Sequence, residues 1–596
     1  MLPTLLALPY LVAFDIDPEG RLLIGYDGSG VRELYEVGPD GDWRTLTSSG
    51  ERVVNAAYVP DTRHVVVEHD TGGDERGQLS LLDLAGSSSE PLVHDPAYFH
   101  HLIAARPGRV LFTTNRRNEI DFDLVARDLA TGEETTLYDG GGYVYAVNAS
   151  PDDQWVAVSR AGGPANSSHV LLVETATGEI SDVTAYEDPN ASYAVSWLPD
   201  SSGFLLSADI DRDRVAVFRY ELATRSLTPV VTDDERDLVG WASPNGQHLL
   251  VAANVDGEIS LALHTADGEL VAPIDLPAGG CGAVLVEAQP HWSADGEHLV
   301  ITYSSPVEPQ HVFRYSVAGG SLDKVRAPDA VAVPAGLTPP TSYRVESFDG
   351  EQVPVYVYQP EGGGDGSAVV FVHGGPEWQH GKIWHPLVAG LVADGHTVLV
   401  PNVRGSTGYG KRWYSLDDRE LRLDSVRDLA ALHAWLPTIG VDQSRVALWG
   451  GSYGGYMVLA GLAFQPSLWA AGVNLVGVAS LVTFLENTSP YRRRVREREY
   501  GYLETDREFL ESVSPLSRVD AIQAPLFVIH GANDPRVPLS EAEQIVAALE
   551  QRKVPCELHV YGDEGHGLVK RANKLDAYPK AFAFLREHLQ ASASTN

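Results

Sequence analysis

Apolar positions follow two different rules along this chain. Over the first 330 residues, short segments alternate apolar and polar residues with a period of two, as in Val215-Ala-Val-Phe-Arg-Tyr220, the mark of half-buried strands. Turn clusters punctuate them: Asp17-Pro18-Glu19-Gly20, Pro60-Asp61, Arg106-Pro107-Gly108, Ser150-Pro151-Asp152, Pro199-Asp200, Ser243-Pro244-Asn245-Gly246 and Ser293-Ala294-Asp295-Gly296. They recur every 42–50 residues, and each is read as the start of a unit. Four short strands per unit and seven units predict a seven-bladed β-propeller. The apolar start, Met1 to Phe14, reads as a first strand.

Past a Pro-rich break at 327–342 the rule changes. Continuous apolar runs (Ala368–Val372, Thr397–Val400, Arg445–Trp449, Leu526–Ile529, Glu557–Tyr561) alternate with helix-length segments. That alternation predicts an α/β domain with a doubly wound, mostly parallel sheet covered on both faces. The expected domains are 1–335, the propeller, and 336–596, the α/β unit.

Composition narrows the candidates. The 596 residues carry a net charge of −37, which argues against nucleic acid and anionic membrane as partners. Residues 1–335 hold 51 acidic and 20 basic side chains, or −31, and the remainder 30 and 24, or −6. The propeller thus carries most of a field that attracts cations or simply solvates the surface. No run of about 18 apolar residues suggests a membrane span. Two cysteines, Cys281 and Cys556, fit a reducing, cytoplasmic setting better than a disulfide framework. No Cys/His spacing suggests zinc, and the expectation is no metal and no cofactor.

The chemistry concentrates in the second half. Gly450-Gly451-Ser452-Tyr453-Gly454 contains Gly-x-Ser-x-Gly directly after a buried strand and before a helix pattern. The glycines let a serine stand on a sharp strand-to-helix turn, with the N–H of Tyr453 facing the reacting carbonyl. Acid and base should follow in that order. Asp534 lies just past the strand ending at Ile529, and His566 on the Gly-flanked loop after Tyr561. Asp563 and Glu564 compete for the acid's role and His530 for the base's. His373-Gly374-Gly375-Pro376 follows strand Ala368–Val372, and the Gly375 N–H is the expected second oxyanion donor. Val478, Leu481 and Phe484 are candidates for the wall of the pocket beside the cleaved bond.

Three further patterns invite other readings. Gly405–Lys411 fits the start of a phosphate loop, but Arg412 replaces the required Ser/Thr. Asp209, Asp211 and Asp213 echo a calcium loop without its Gly and Glu. The run Tyr491-Arg-Arg-Arg-Val-Arg-Glu-Arg498 reads as an ion-pair network.

A seven-unit β-propeller followed by an α/β-hydrolase domain bearing Gly-Gly-Ser452-Tyr-Gly-Gly, Asn533-Asp534-Pro-Arg-Val-Pro and Gly565-His566-Gly resembles the prolyl oligopeptidase family of serine peptidases, over nearly the whole chain. Asn402-x-Arg404-Gly405-Ser406-x-Gly408-x-Gly410 is similar to that family's Gly-rich segment. Tyr453 after the nucleophile resembles its acylaminoacyl and dipeptidyl peptidases, and His373-Gly-Gly-Pro resembles the acylaminoacyl peptidases, whereas the paired Glu motif of the dipeptidyl peptidases is not found. The resemblance implies a serine oligopeptidase or exopeptidase, of acylaminoacyl-peptidase or aminopeptidase type, with a propeller that screens out folded proteins. Its partners would be short peptides or aminoacyl small molecules, with self-association left open. The alternative is an esterase using the same triad on non-peptide acyl groups.

Overall fold

The computed structural model describes residues 1–185, 189–281, 289–329 and 331–590. Seven antiparallel sheets occupy Leu11 to Lys324, each built from consecutive strands. The first runs Leu11–Ile16, Leu22–Tyr26, Glu33–Val37, Trp43–Thr45. The first strands of neighbouring sheets pack on one another. The ring closes where Leu11, Ala13 and Leu22 share a core with Val300 and Val312 of the last sheet. This is the predicted seven-bladed propeller, with one correction of phase. Each Pro/Asp/Gly cluster joins the first strand of a blade to its second, as Asp17–Gly20 lies between Ile16 and Leu22, so the blade begins one strand earlier than the turn.

The N-terminus needs a second correction. Leu2–Leu6 is a helix, and of the segment expected to be the first strand only Leu11–Phe14 is one, within Leu11–Ile16. Leu2 and Leu6 join the core formed by Leu387, Leu391, Phe582 and Leu585 of the second half. Burying two leucines against those helices outweighs continuity with the propeller, so residues 2–6 pack with the unit expected to start at 336.

No regular element lies between Lys324 and Thr341 among the described residues. An eight-stranded sheet follows, in the order Thr341–Glu346, Gln352–Tyr358, Thr397–Pro401, Ala368–Val372, Val446–Gly451, Ala471–Leu475, Leu526–Gly531, Cys556–Tyr561. The first two strands pair antiparallel and the last six are parallel. The central strands are wholly buried, because helices cover both faces. The parallel strand ends therefore share one edge, and loops from that edge converge.

The two halves meet through directed contacts, and two of the ambiguous motifs prove to be each other's partners. Asp213 accepts from the N–H of Lys411 through its carbonyl (2.7 Å) and from that of Arg412 through Oδ1 (2.8 Å). The Tyr414 hydroxyl donates to Asp209 Oδ2 at 2.6 Å. The phosphate-loop look-alike and the calcium-loop look-alike thus hold the domains together.

Candidate active site

Strand Val446–Gly451 runs into helix Tyr453–Phe464 with Ser452 between them at φ 58° and ψ −119°. A non-glycine residue at that φ is strained. The turn is tight enough that a Cβ on Gly450 would strike the Gly454 backbone, and one on Gly454 the Val372 carbonyl. The elbow is tied down by Ser452 N–H donating to Leu475 O (2.9 Å) and Tyr456 N–H to Ser452 O (3.0 Å).

His566 Nδ1 lies 2.8 Å from Asp534 Oδ2. Asp534 Oδ1 accepts from the N–H groups of Arg536 (2.8 Å) and Val537 (3.0 Å). Burial acts to raise the Asp534 pKa, but the imidazole and these amides outweigh it and hold the carboxyl below its usual range. The competing residues are engaged elsewhere. Glu564 accepts from the N–H groups of Val569 and Lys570. Asp563 is exposed beside Lys570. His530 is buried with Nε2 3.0 Å from Val537 O, and burial lowers its pKa.

Gly374 and Gly375 lie beside the elbow. A Cβ on Gly374 would sit 3.3 Å from Ser452 Cβ and 3.9 Å from its Oγ. Gly375 has φ +133°, and a Cβ there would stand 2.8 Å from Glu377 N, so any larger residue would disturb the loop itself. Among the described residues, the N–H groups of Gly375 and Tyr453 meet no acceptor. His373 anchors this loop: its Nε2 is 2.8 Å from Ser406 Oγ, which donates to Val403 O. Burial lowers the His373 pKa to about 4. The Gly-rich segment therefore serves as the loop's support.

Val478, Leu481 and Phe484 are 3%, 1% and 3% exposed within the core that also holds Tyr453, Tyr456 and Val537. They pack in the core around helix Tyr453–Phe464 and leave little surface open. Sequence reasoning missed the charged groups beside the Gly374-Gly375 loop: Glu377, Asp417, Asp418 and Glu499. The Asp417-Asp418 doublet and Glu377 directly after Pro376 were visible signals. Their convergence was not, because they belong to separate segments of the chain. The Arg-rich helix Pro490–Tyr500 is largely an ion-pair network, as expected. Arg493 pairs with Glu497, Arg494 with Asp121, and Arg496 with Glu377, and Arg498 caps the carbonyls of Gly162, Gly163, Pro164 and Ser167.

The propeller reaches this site. Asn533 Nδ2 donates to Gly72 O at 2.9 Å, Glu75 pairs with Arg536 at 2.7 Å, and Gly73 lies against Gly565. The loops carrying Asp534 and His566 are thus buttressed from the other domain.

A family profile described as the prolyl oligopeptidase family matches residues 386–592. Dipeptidyl aminopeptidase BIII of Pseudoxanthomonas mexicana is 30% identical over 550 residues, 88% of this chain and 78% of that protein. The human acylamino-acid-releasing enzyme is 28% identical over 264 residues, 42% of this chain and 36% of that enzyme. A puromycin-hydrolyzing peptidase of Mycobacterium tuberculosis shares the fold, with a TM-score of 0.85 at 20% identity over 99% of this chain and 96% of that one.

Proposed function

Since the chain belongs to the prolyl oligopeptidase family and is a serine-type peptidase, we propose that Ser452, His566 and Asp534 form its catalytic triad and that it releases short peptides or aminoacyl groups through an acyl-enzyme. One observation carries the assignment: the only carboxylate bonded to His566 among the described residues is Asp534, at 2.8 Å, on the same sheet edge as the strained serine elbow. Ser452 Oγ attacks the peptide carbonyl while His566 takes its proton, and Asp534 stabilises the imidazolium. The unengaged N–H groups of Tyr453 and Gly375 receive the developing oxyanion. His566 then returns its proton to the leaving amine, and water enters by the same route to free the acyl group.

The propeller restricts the substrate to small or extended molecules, since its loop 72–75 stands against the catalytic loops. The names of the relatives divide between release of dipeptides and release of acylated amino acids, so the choice of amino terminus is part of the proposal's test. The free thiol of Cys556 supports a reducing, cytoplasmic setting; the Cys281 side chain lies outside the described ones. Among the described residues no helix is long and apolar enough to cross a membrane.

A fluorophosphonate probe should label Ser452, and Ser452→Ala should abolish both labelling and amidase activity. Labelling at another serine would overturn the triad. Turnover of p-nitrophenyl esters with none of matched free or acetylated p-nitroanilides would overturn the peptide substrate.

A further inference from the structure

Beside the oxyanion loop lies a charged cluster that the triad does not use. Asp417, Asp418 and Glu499 each bring a carboxylate oxygen within 4.8 Å of the others. Arg422 stands among them, 2.5 Å from Asp417 and paired with Glu499, with its guanidinium over the rings of Tyr453 and Tyr500. Glu377 adds a fourth carboxylate, 2.6 Å from Arg496. Four acids therefore face two guanidinium groups. Arg492, one turn before Arg496, has no carboxylate within ion-pair distance among the described residues; the acid felt there is Glu75.

The cluster is not closed on itself. Glu499 is wholly buried, yet its Oε2 meets no N–H or hydroxyl donor, and neither does Oδ1 of Asp418; Glu499 is left to share protons with the carboxylates of Asp418 and Glu377. A buried carboxylate oxygen left without a donor is costly. Burial raises the Asp417 pKa to about 6, and burial together with the Asp417 charge raises that of Asp418 to about 7. At neutral pH the empty cluster thus retains protons that a bound cation would displace.

Its position says which cation. Glu377 follows Gly375 by two residues, and Asp417 Oδ2 accepts from the Tyr453 hydroxyl at 3.0 Å. The cluster therefore touches both segments that carry the unengaged N–H donors. A peptide carbonyl held by those donors brings the side chain of its own residue to this wall. Resting on the peptidase reading above, we propose that Asp418, Glu499 and Glu377 form the receptor for a cationic side chain, lysine or arginine, on the residue whose carbonyl is attacked. The ammonium or guanidinium donates to the open oxygens of Asp418 and Glu499, and the pocket is ionic where Val478, Leu481 and Phe484 would have made it apolar.

The test uses the whole enzyme with two series of aminomethylcoumarin dipeptides, Ala-X and acetyl-Ala-X, where X is Arg, Lys, Leu or Glu. The expected kcat/KM for Arg and Lys exceeds that for Leu by roughly 10–100-fold, the scale of charge-assisted hydrogen bonds, with Glu poorest. The Arg-to-Leu ratio should rise as pH passes through about 7, where Asp418 gives up its proton. Asp418→Asn should collapse that ratio by about tenfold or more. Leu equal to or better than Arg, an unchanged ratio in Asp418→Asn, or activity that requires an added divalent metal without any Arg preference would each overturn the proposal. Fluorophosphonate labelling of Ser452 in the same samples separates the two readings: labelling with no basic preference sinks only this inference, while absence of labelling sinks the triad as well.

Discussion

Asp534 and the cluster of Asp417, Asp418 and Glu499 are both carboxylates in the interior of the catalytic half, built on opposite principles. Asp534 has its oxygens engaged: Oδ1 takes two backbone N–H groups and Oδ2 the imidazole of His566. Its pKa is accordingly held low. Asp417, Asp418 and Glu499 are crowded together with oxygens left open, and their pKa values are pushed up. A saturated carboxylate is a permanent anion, suited to stabilise an imidazolium in every turnover. An unsaturated set exchanges protons for a cation, suited to a ligand that comes and goes. Burial alone does not distinguish them; the count of donors does.

The sharpest way to break the comparison is to remove the permanent charge. Asp534→Asn keeps the size of the side chain but replaces one acceptor with a donor, which favours the wrong tautomer of His566. The loss in kcat should be about 10⁴-fold, the magnitude found for this exchange in other triads. Folding should survive, since Oδ1 can still take the amides of Arg536 and Val537. A loss below about tenfold, measured with an amide substrate, would show that another group supports His566.

How much of this was legible in the chain differs between the same two sites. The proposed triad was readable because each member sits at a strand end marked by its own local signal: glycines around Ser452, Asn-Asp-Pro-Arg after Ile529, Gly-His-Gly after Tyr561. The acidic cluster was not, because Glu377, Asp417 and Glu499 come from a loop, a turn and a helix whose meeting is purely tertiary. The propeller's blades were countable from their turns, but not their phase, since Asp17–Gly20 looks the same whether it opens a blade or joins its first two strands. Leu2–Leu6 escaped for another reason. An apolar run that short fits strand or helix equally, and only the apolar faces of the helices at 386–393 and 571–588, which it covers, decide it.

A cation with no bond to cleave should occupy only the second site. Agmatine, which carries a guanidinium on an alkyl chain, should inhibit competitively against an Arg substrate. At 100 times its Kd it should stabilise the enzyme by about 2.7 kcal/mol, read as a raised melting midpoint. Binding should tighten as pH rises through about 7, because the protons it displaces are then already gone. Asp534→Asn should bind agmatine as well as the parent does, whereas Asp418→Asn should bind it poorly. Equal binding to both variants would erase the distinction between the two sites.

The smallest effect is the most discriminating, because the two sites then pull stability in opposite directions with pH. Asp534 has a folded pKa below its value of 3.8 in a free chain, so its contribution is present above about pH 4 and is lost as pH falls through the folded value. Asp417 and Asp418 have folded values near 6 and 7. Between about pH 4 and pH 7 the folded protein holds protons there that the unfolded chain has released, so stability declines as pH rises across that window. In the ligand-free enzyme, Asp418→Asn should therefore flatten the decline in melting midpoint between pH 5 and 7.5, by about 1 °C for each kcal/mol of linkage removed, since the unfolding entropy grows with chain length. It should leave the acid limb below pH 4 untouched. Asp534→Asn should do the reverse. Saturating agmatine should flatten the neutral limb of the parent as the substitution does, since a bound cation makes the protons unnecessary. A neutral limb that is the same in the parent, in Asp418→Asn and with agmatine would mean that the decline comes from the general repulsion of a surface carrying −37, and that the cluster's open oxygens are not exchanging protons for a ligand.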